Sequence, residues 1–325
     1  MKAIRFHETG SPGVLRYEDV ERPSPGPGEV LVKVRAVGVN FADTLFRRGQ
    51  YLTEPVFPQI PGAEAAGIVE EVGEGVPADL IGKRVAFLGQ NCYAEYTRVG
   101  ARQLIPLPDS ISFEAGAAFP LQALTAYHML FTMDRVEEGK TVLVHAAAGG
   151  VGLLAIQMAR QVGARVYGTT STEEKAALVR EMGADSVFLY NKLDFVEEVR
   201  RVTGGRGVDL VLDSVGKSTF EGSLRSLAPF GHLISYGAAS GRPDPLDVRA
   251  LYENSLKVSA FWLVTAMRVP EIARRGVERV VEWVATGKLR LTIGLRLPLK
   301  EAPEAHRKLE GRETFGKIIL VTSDD

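Results

Sequence analysis

Apolar positions in the middle of the chain form short runs that end at glycine or polar residues, with longer mixed segments between them. The run 141–145 is largely apolar, a cluster of very small residues follows it, and the apolar pattern resumes at 153–160 as a helix. Similar runs, again separated by helical patterns, follow at 165–169, 184–188, 208–213 and 231–237. This alternation predicts an α/β domain with a parallel sheet covered by helices on both faces.

The first 120 residues have a different pattern. Residues 29–39 form a β-branched run, shorter strand-like runs recur at 67–73 and 83–87, and glycine and proline separate them. These features predict an antiparallel, barrel-like domain rather than a nucleotide-binding sheet.

The end of the chain returns to this first pattern. After a sixth strand near 257–263, valines at helical spacing predict a helix around 277–284, and residues 314–321 form a last strand with no helix after it. We therefore predict a catalytic domain of residues 1–121 and 265–325, interrupted by a cofactor domain of residues 122–264. The substrate is expected in the cleft between these two domains.

The strand predicted at 141–145 leads into a turn of very small residues. The spacing Ala147-x-Gly149-x-x-Gly152 is the dinucleotide-binding fingerprint with alanine in place of its first glycine. Such a turn brings backbone N–H groups and a helix N-terminus close to a pyrophosphate, although an isolated match can equally be structural. Its position on the first strand of the α/β series favours cofactor binding, and the predicted contacts are Ala148, Gly149, Gly150, Val151 and Gly152.

Composition narrows the possible partners. The 325 residues are 45% hydrophobic and 24% charged with a net charge of −1, which gives no reason to expect dedicated binding of nucleic acid or of an anionic membrane. No apolar run approaches the length of a transmembrane helix, and the first residues lack the apolar core of a signal peptide. We therefore expect a cytoplasmic protein. Cys92 is the only cysteine, which excludes intrachain disulfides and multi-thiolate zinc sites.

An ordered set of motifs across nearly the whole chain resembles the zinc-independent, zeta-crystallin-like quinone oxidoreductases of the medium-chain dehydrogenase/reductase superfamily. The motifs are the segment 139–160 with Gln157-x-x-Arg160, Val39-Asn40-Phe41-Ala42-Asp43, Pro61-Gly62-x-Glu64-x-x-Gly67, Gly82-Lys83-Arg84-Val85, Asp213-Ser214-Val215-Gly216, and His306-x-x-Leu309-Glu310-x-Arg312-x-Thr314-x-Gly316-Lys317.

The resemblance implies a GroES-like β-rich catalytic domain, an inserted Rossmann domain and a homodimer joined through the edge strand 257–264. An apolar edge at those residues is equally consistent with an ordinary buried strand. Zinc-dependent members of the superfamily carry a cysteine where this chain has Asn40 and a histidine where it has Ala63, so we expect no metal.

Without a metal to polarise an alcohol or a simple ketone, the chemistry expected is hydride transfer from nicotinamide C4 to an electron-poor acceptor. A quinone or an α,β-unsaturated carbonyl fits this description. The first hypothesis is an NADPH:quinone reductase, and the first alternative is an NADPH-dependent enoyl or alkenal double-bond reductase, which needs a proton donor. The second alternative is a non-catalytic NADPH-binding protein with a crystallin-like or RNA-binding role.

NADPH is favoured over NADH because no acidic residue stands at 167–172, where NAD-binding folds place one for the ribose hydroxyls. Thr170, Ser171 and Lys175 are the candidate contacts to the ribose and its 2′-phosphate. The alternative is that Ser171 forms a helix capping box with Glu174 and that Lys175 is solvated. The resemblance implies that Lys175 and Tyr190 contact the 2′-phosphate.

The resemblance also implies the catalytic candidates Asn40, Asp43, Tyr51 and Thr125, with Asn40 and Thr125 near the nicotinamide. Asn40 could instead cap a turn, and Tyr51, our candidate hydrogen-bond donor to the acceptor, could be a partly buried aromatic residue. Lys317 is predicted to reach the cofactor phosphates or to be a surface lysine. The remaining predicted cofactor contacts are Ser214, Gly216, Ser235, Tyr236, Gly237 and Ala238.

Overall fold

The computed structural model describes residues 1–322. They form two compact units: Met1–Leu121 with the segment that begins at Val284, and Gln122–Trp283. The first junction lies where the sequence places it, whereas the second unit extends beyond residue 264 to Trp283. Trp283 belongs to this unit because its ring contacts Tyr127 and Phe131 at centroid distances of 6.2 and 6.1 Å. The boundary after residue 264 between the cofactor domain and the catalytic domain stays a prediction.

The regular elements follow one another in chain order. The first unit begins with β1 (Lys2–Arg5), β2 (Arg16–Asp19), β3 (Glu29–Val39), α1 (Phe41–Arg47), β4 (Glu64–Val72), β5 (Arg84–Leu88), β6 (Tyr96–Gly100), β7 (Leu104–Pro106) and α2 (Phe113–Ala118). Helix α3 (Pro120–His128) leads into the second unit and continues as a π-helical turn over Met129–Met133.

The second unit alternates strands and helices as predicted. It contains β8 (Thr141–Val144), α4 (Gly150–Gln161), β9 (Arg165–Thr170), α5 (Glu173–Glu181), β10 (Ser186–Leu189), α6 (Phe195–Val202), β11 (Val208–Asp213), α7 (Phe220–Arg225), β12 (Leu227–Ser235), β13 (Lys257–Ala260), α8 (Leu263–Met267) and α9 (Pro270–Ala285). The chain then returns to the first unit with β14 (Ile293–Pro298), α10 (Ala302–Glu310) and β15 (Lys317–Val321).

The first unit is built on a seven-stranded sheet that is antiparallel except for the parallel pair β14 and β15. Its order is β14-β15-β3-β4-β5-β7 with β6 also paired to β3, and β1 and β2 form a separate hairpin-like pair. The returning strand β15 pairs antiparallel with β3, from Ile318 opposite Val39 to Val321 opposite Ala36. This pairing confirms that the last strand belongs to the first unit, and the core beneath it is formed by valines of β3 together with Phe6, Phe87 and Leu320.

The second unit is built on a six-stranded parallel sheet in the order β10-β9-β8-β11-β12-β13. All four residues of β8 are buried, as expected for a strand covered on both faces. The order is that of a Rossmann fold, with the direction of winding changing between β8 and β11. The carboxyl ends of β8 and β11 therefore mark the crevice where such sheets bind their ligands.

The sixth strand is shorter than predicted. Strand β13 ends at Ala260, and Leu263 and Val264 lie in α8 rather than in an extended edge strand. The apolar run 258–264 does not reveal this boundary because strand and helix both use apolar residues there. Strand β13 is the edge of the sheet, and within residues 1–322 it pairs only with β12.

Candidate active site

The turn between β8 and α4 is shaped by close backbone approach. A Cβ atom added at Gly152 would lie 2.6 Å from the carbonyl oxygen of Ala147 and 2.8 Å from that of Ala146. A Cβ atom at Gly150 would lie 1.8 Å from Oε1 of Gln122. Helix α4 begins here with Gly149 at its N-cap, so its first N–H groups have no partner within the helix, and three of the four residues 149–152 are glycines. A pyrophosphate group fits this cradle.

A second glycine-lined segment follows β11 and β12 at the same edge of the sheet. Gly216 has φ +86°, and a Cβ atom on it would lie 2.5 Å from the carbonyl oxygen of Gly241. A Cβ atom on Gly237 would lie 2.7 Å from that of Ser214. The N–H of Tyr236 donates to the carbonyl of Asp213 at 2.9 Å, which ties the two strand ends together. These contacts keep Ser214, Gly216 and Ser235–Ala238 beside the β8–α4 turn.

The carboxylate of Asp213 fixes this loop. It accepts the N–H groups of Val215 and Gly216 at 2.8 and 3.0 Å and the hydroxyl of Thr219 at 2.8 Å. His145 lies nearby and is fully buried, with both ring nitrogens bonded, to Thr169 at 2.9 Å and Ser223 at 3.0 Å. Burial lowers the pKa of His145, so it is a neutral core residue rather than a proton donor.

The end of β9 has the groups predicted for recognition of a ribose. Thr170 is its last residue, and the N–H of Tyr190 donates to the carbonyl of Thr170 at 3.2 Å. The proposed capping box of Ser171 and Glu174 was wrong, because the N-cap of α5 is Thr172, whose hydroxyl accepts the N–H of Lys175 at 3.3 Å. Ser171 therefore stands between strand and cap, in the connecting turn.

The first unit contains a buried polar cluster around Asn40. The ammonium of Lys317 forms an ion pair with Glu64 and donates to Oδ1 of Asn40 at 2.7 Å. Nδ2 of Asn40 donates to Glu64 at 2.7 Å. The other oxygen of Glu64 accepts the N–H of Leu121 at 2.8 Å. Because these polar groups satisfy one another, the charges can be buried.

This cluster corrects the expectation for Lys317. The residue is 2% exposed and its ammonium is bonded to Glu64 and Asn40, so it is not a surface lysine. Its contact with the cofactor phosphates stays a prediction. The sequence misleads here because a lysine is rarely buried unless an acid pairs with it. The acid, Glu64, is 253 residues away along the chain.

Asp43 extends the cluster along α1. Its Oδ2 accepts the backbone N–H of Asn40 at 2.8 Å and the hydroxyl of Tyr93 at 3.2 Å. Burial raises the pKa of Asp43 to about 7, against the lowering effects of the Asn40 N–H and of Lys317. Tyr93 in turn contacts His306, and His306 contacts Arg47. Sequence reasoning assigned no role to these three residues, although His306 lies in a quoted motif.

The other catalytic candidates lie on different elements. Thr125 is a buried residue of α3 in the second unit, and Tyr51 is half-buried in the segment after α1 in the first. Beyond Tyr51 the same segment exposes Leu52, Val56 and Phe57.

Within residues 1–322, no group of three or more His, Cys, Asp or Glu side chains is arranged to hold a metal ion. No helix in that part of the chain is both long and apolar enough to span a membrane.

A GroES-like β-rich unit, interrupted by a parallel sheet of Rossmann order with a glycine cradle at its switch point, defines a medium-chain dehydrogenase/reductase. Two family models agree: "Alcohol dehydrogenase GroES-like domain" matches residues 26–109, and "Zinc-binding dehydrogenase" matches residues 150–279.

Full-length relatives are more specific. The quinone oxidoreductase of Pseudomonas aeruginosa is 39% identical over 98% of this chain and 99% of its own, and a 2-haloacrylate reductase of a Burkholderia species is 39% identical over 98% of each. The structure of the Escherichia coli quinone oxidoreductase complexed with NADPH matches with TM-score 0.95 at 36% identity, covering 99% of this chain and 100% of the other. The chain belongs to the quinone oxidoreductase family, which confirms the predicted family and fold class.

Proposed function

We propose that the protein reduces quinones with NADPH. The observation that carries the proposal is the glycine cradle at the switch point of the parallel sheet, combined with a β9 end that has no acid for the ribose hydroxyls. The E. coli relative and a mycobacterial relative, 41% identical with TM-score 0.95, were both solved with NADPH. When bound, NADPH supplies a hydride from nicotinamide C4.

The residues of the second unit have distinct parts in this proposal. Residues Ala148–Gly152 hold the pyrophosphate through backbone N–H groups, because the glycines at the start of α4 let a ligand approach its backbone closely. The loops after β11 and β12 line the nicotinamide half, with Ser214, Gly216 and Ser235–Ala238 as contacts. Asn40, Asp43, Tyr51 and Thr125 are proposed for the reacting end, where Asn40 orients the nicotinamide or acceptor and Tyr51 donates to the acceptor oxygen.

The ribose end is proposed to select NADPH. The turn at Thr170 and Ser171 offers hydroxyl groups and the first turn of α5 offers Lys175, while the exposed Tyr190 is held beside Thr170 by its backbone. A 2′-phosphate gains from a cation and hydroxyl donors, whereas an acid would repel it.

Replacing Lys175 by alanine should lower kcat/KM for NADPH by about 10- to 100-fold and leave kcat/KM for NADH nearly unchanged, because only the 2′-phosphate interacts with the ammonium. The measurement is the ratio of the two constants for wild type and variant. Lys192→Ala, on the turn after β10, serves as the control for loss of a nearby positive charge. An unchanged ratio in Lys175→Ala would remove this residue from the cofactor site.

The acceptor is tested by the oxidation of NADPH with a panel of quinones and α,β-unsaturated carbonyls. We expect the highest kcat/KM for a quinone, because a reduced quinone needs protons only on oxygen, whereas an unsaturated carbonyl also needs a proton delivered to carbon. The 2-haloacrylate reductase relative favours an enoyl reductase as the second candidate. Higher kcat/KM for the unsaturated carbonyls would select that candidate, and NADPH binding without turnover of any acceptor would select the non-catalytic role.

We further propose a homodimer that forms through the edge strand β13. The strand has one unpaired side within the described chain, and its four residues are all exposed or half-buried. Two such edges can join into one continuous sheet. Sedimentation velocity tests the assembly, and Ala260→Pro, which removes an N–H on the side of β13 that faces away from β12, should shift a dimer toward monomer. The cytoplasm is the proposed compartment, supported by the single cysteine, and the absence of nucleic-acid partners stays a prediction.

A further inference from the structure

A chain of hydrogen bonds runs from the exposed side of α10 to the residue proposed to face the reacting groups. Arg47 is fully buried and donates to Glu310 at 2.6 Å and to the carbonyl of Gly10 at 3.1 Å. Its third contact is Nδ1 of His306, at 3.4 Å from Nη1. His306 then contacts Tyr93, Tyr93 contacts Asp43, and Asp43 contacts the backbone of Asn40.

The direction of every bond in this chain follows from Arg47. A guanidinium can only donate, so Nδ1 of His306 accepts and the proton of the neutral imidazole is on Nε2. Burial and the neighbouring Arg47 and Arg48 lower the pKa of His306 to about 3, which keeps the ring neutral. Nε2–H of His306 therefore donates to the Tyr93 hydroxyl at 3.0 Å, and that hydroxyl donates to Asp43 at 3.2 Å.

Asp43 receives two donors on one oxygen, the Tyr93 hydroxyl and the Asn40 N–H, and is itself 4% exposed. Both donors stabilise the ionised carboxylate, which burial opposes. The charged or titratable groups around it on the neighbouring elements are Glu64 on β4, Lys317 on β15, Cys92 and Tyr93 in the segment before β6, His306 on α10, and Arg47 on α1. Only Tyr93 among these side chains donates directly to Asp43.

We propose that Tyr93 and His306 are positioning residues that orient Asn40 through the carboxylate of Asp43. Asn40 is the N-cap of α1, so its N–H direction sets the start of that helix and the placement of its own side chain amide. The inference rests on the proposed function for its catalytic consequence, but the coupling of Tyr93 to Asn40 can be observed without turnover.

The test combines one spectroscopic and one kinetic readout on the full-length protein. In wild type, the backbone amide resonance of Asn40 should titrate with the ionisation of Asp43, near pH 7. In Tyr93→Phe the carboxylate loses a donor, so the midpoint should rise by about one pH unit. The pH at which quinone reduction is half-maximal on its acid side should move in the same direction, with kcat more affected than KM for NADPH.

Two matched comparisons separate positioning from packing. Tyr96→Phe removes a hydroxyl of the same residue type in the same unit, where the ring packs against Arg22 and does not contact Asp43, and should leave both midpoints unchanged. His306→Gln keeps an acceptor for Arg47 and a donor for Tyr93, so the midpoint of the Asn40 titration should stay at the wild-type value. His306→Leu cannot do either and should behave like Tyr93→Phe.

A lower melting temperature in Tyr93→Phe and His306→Leu with no change in the Asn40 midpoint would overturn the proposal, since packing alone would then explain both residues. If Tyr93→Phe does not fold, the comparison of His306→Gln with His306→Leu decides in the same way. A shifted midpoint in a protein that reduces no quinone would support the positioning role and refute the proposed function.

Discussion

Replacing Lys317 by methionine should lower the free energy of unfolding by about 3–5 kcal/mol, because it leaves the fully buried carboxylate of Glu64 without its counter-charge. Asn40 also loses the donor to its side-chain oxygen. Methionine retains most of the volume of the lysine stem, so the loss in free energy of unfolding comes from the missing charge and not from a cavity. Differential scanning calorimetry measures it as a fall in the transition temperature of the first unit.

The control is Lys308→Met, whose ammonium is partly exposed and lies 3.5 Å from Glu304 and from Glu313. A solvated pair of this kind contributes at most about 1 kcal/mol, so the control should change the transition little. The double variant Glu64→Leu with Lys317→Met removes both charges and should recover part of the loss. Equal effects of Lys317→Met and Lys308→Met would contradict the buried ion pair.

The parts of the fold that could be predicted are those with a local pattern. A continuous apolar run such as 141–144 followed by small residues describes a buried strand and its turn within one short window. The order of the strands is not contained in these local patterns, because the handedness of a crossover fixes the face of the sheet on which a helix lies and not which strands are neighbours. The return of β15 to the first unit was also accessible, because a last strand with no helix after it does not fit the alternation of the second.

The buried polar chain could not be predicted, because its members are separated by long stretches of sequence. Asn40 and Lys317 are 277 residues apart, and Arg47 and His306 are 259 apart. Each of these residues is an ordinary polar residue in its own segment, and only the pairing of β3 with β15 and the packing of α1 near α10 bring them together. Hydrogen bonds and ion pairs between residues far apart in the chain leave no periodic pattern in the sequence.

The same reason explains the error over Lys317. From the sequence, a lysine after glycine in a terminal strand has two ordinary roles, solvation and phosphate binding. The role that the structure shows, a buried ion pair, requires an acidic residue buried beside the lysine, which here is Glu64 of β4. In contrast, the turn at Gly149–Gly152 was read correctly as a helix start because its geometry depends on adjacent residues.

Gly152→Ala should weaken NADPH binding on the order of 100-fold, because the added methyl group meets backbone rather than a movable side chain. Two carbonyl oxygens, of Ala146 and Ala147, lie within 2.8 Å of the new Cβ position. Relief of this contact requires the turn or the first residues of α4 to move, which displaces the N–H groups that face the pyrophosphate. Isothermal titration with NADPH measures the change.

Alanine variants at two other glycines distinguish the effect of the steric contact from the effect of replacing any glycine. The three atoms nearest to a Cβ on Gly150 form the amide end of the flexible Gln122 side chain, which can move more readily than backbone, so Gly150→Ala should weaken binding less than Gly152→Ala. Gly13→Ala has no neighbouring atom closer than 3.8 Å and should bind NADPH like wild type. If Gly152→Ala bound as tightly as Gly13→Ala, the β8–α4 turn would not hold the pyrophosphate. If the cradle is the cofactor site, the affinity for NADPH should fall least in Gly13→Ala, more in Gly150→Ala and most in Gly152→Ala. Strain that only lowers stability would not produce this order of affinities.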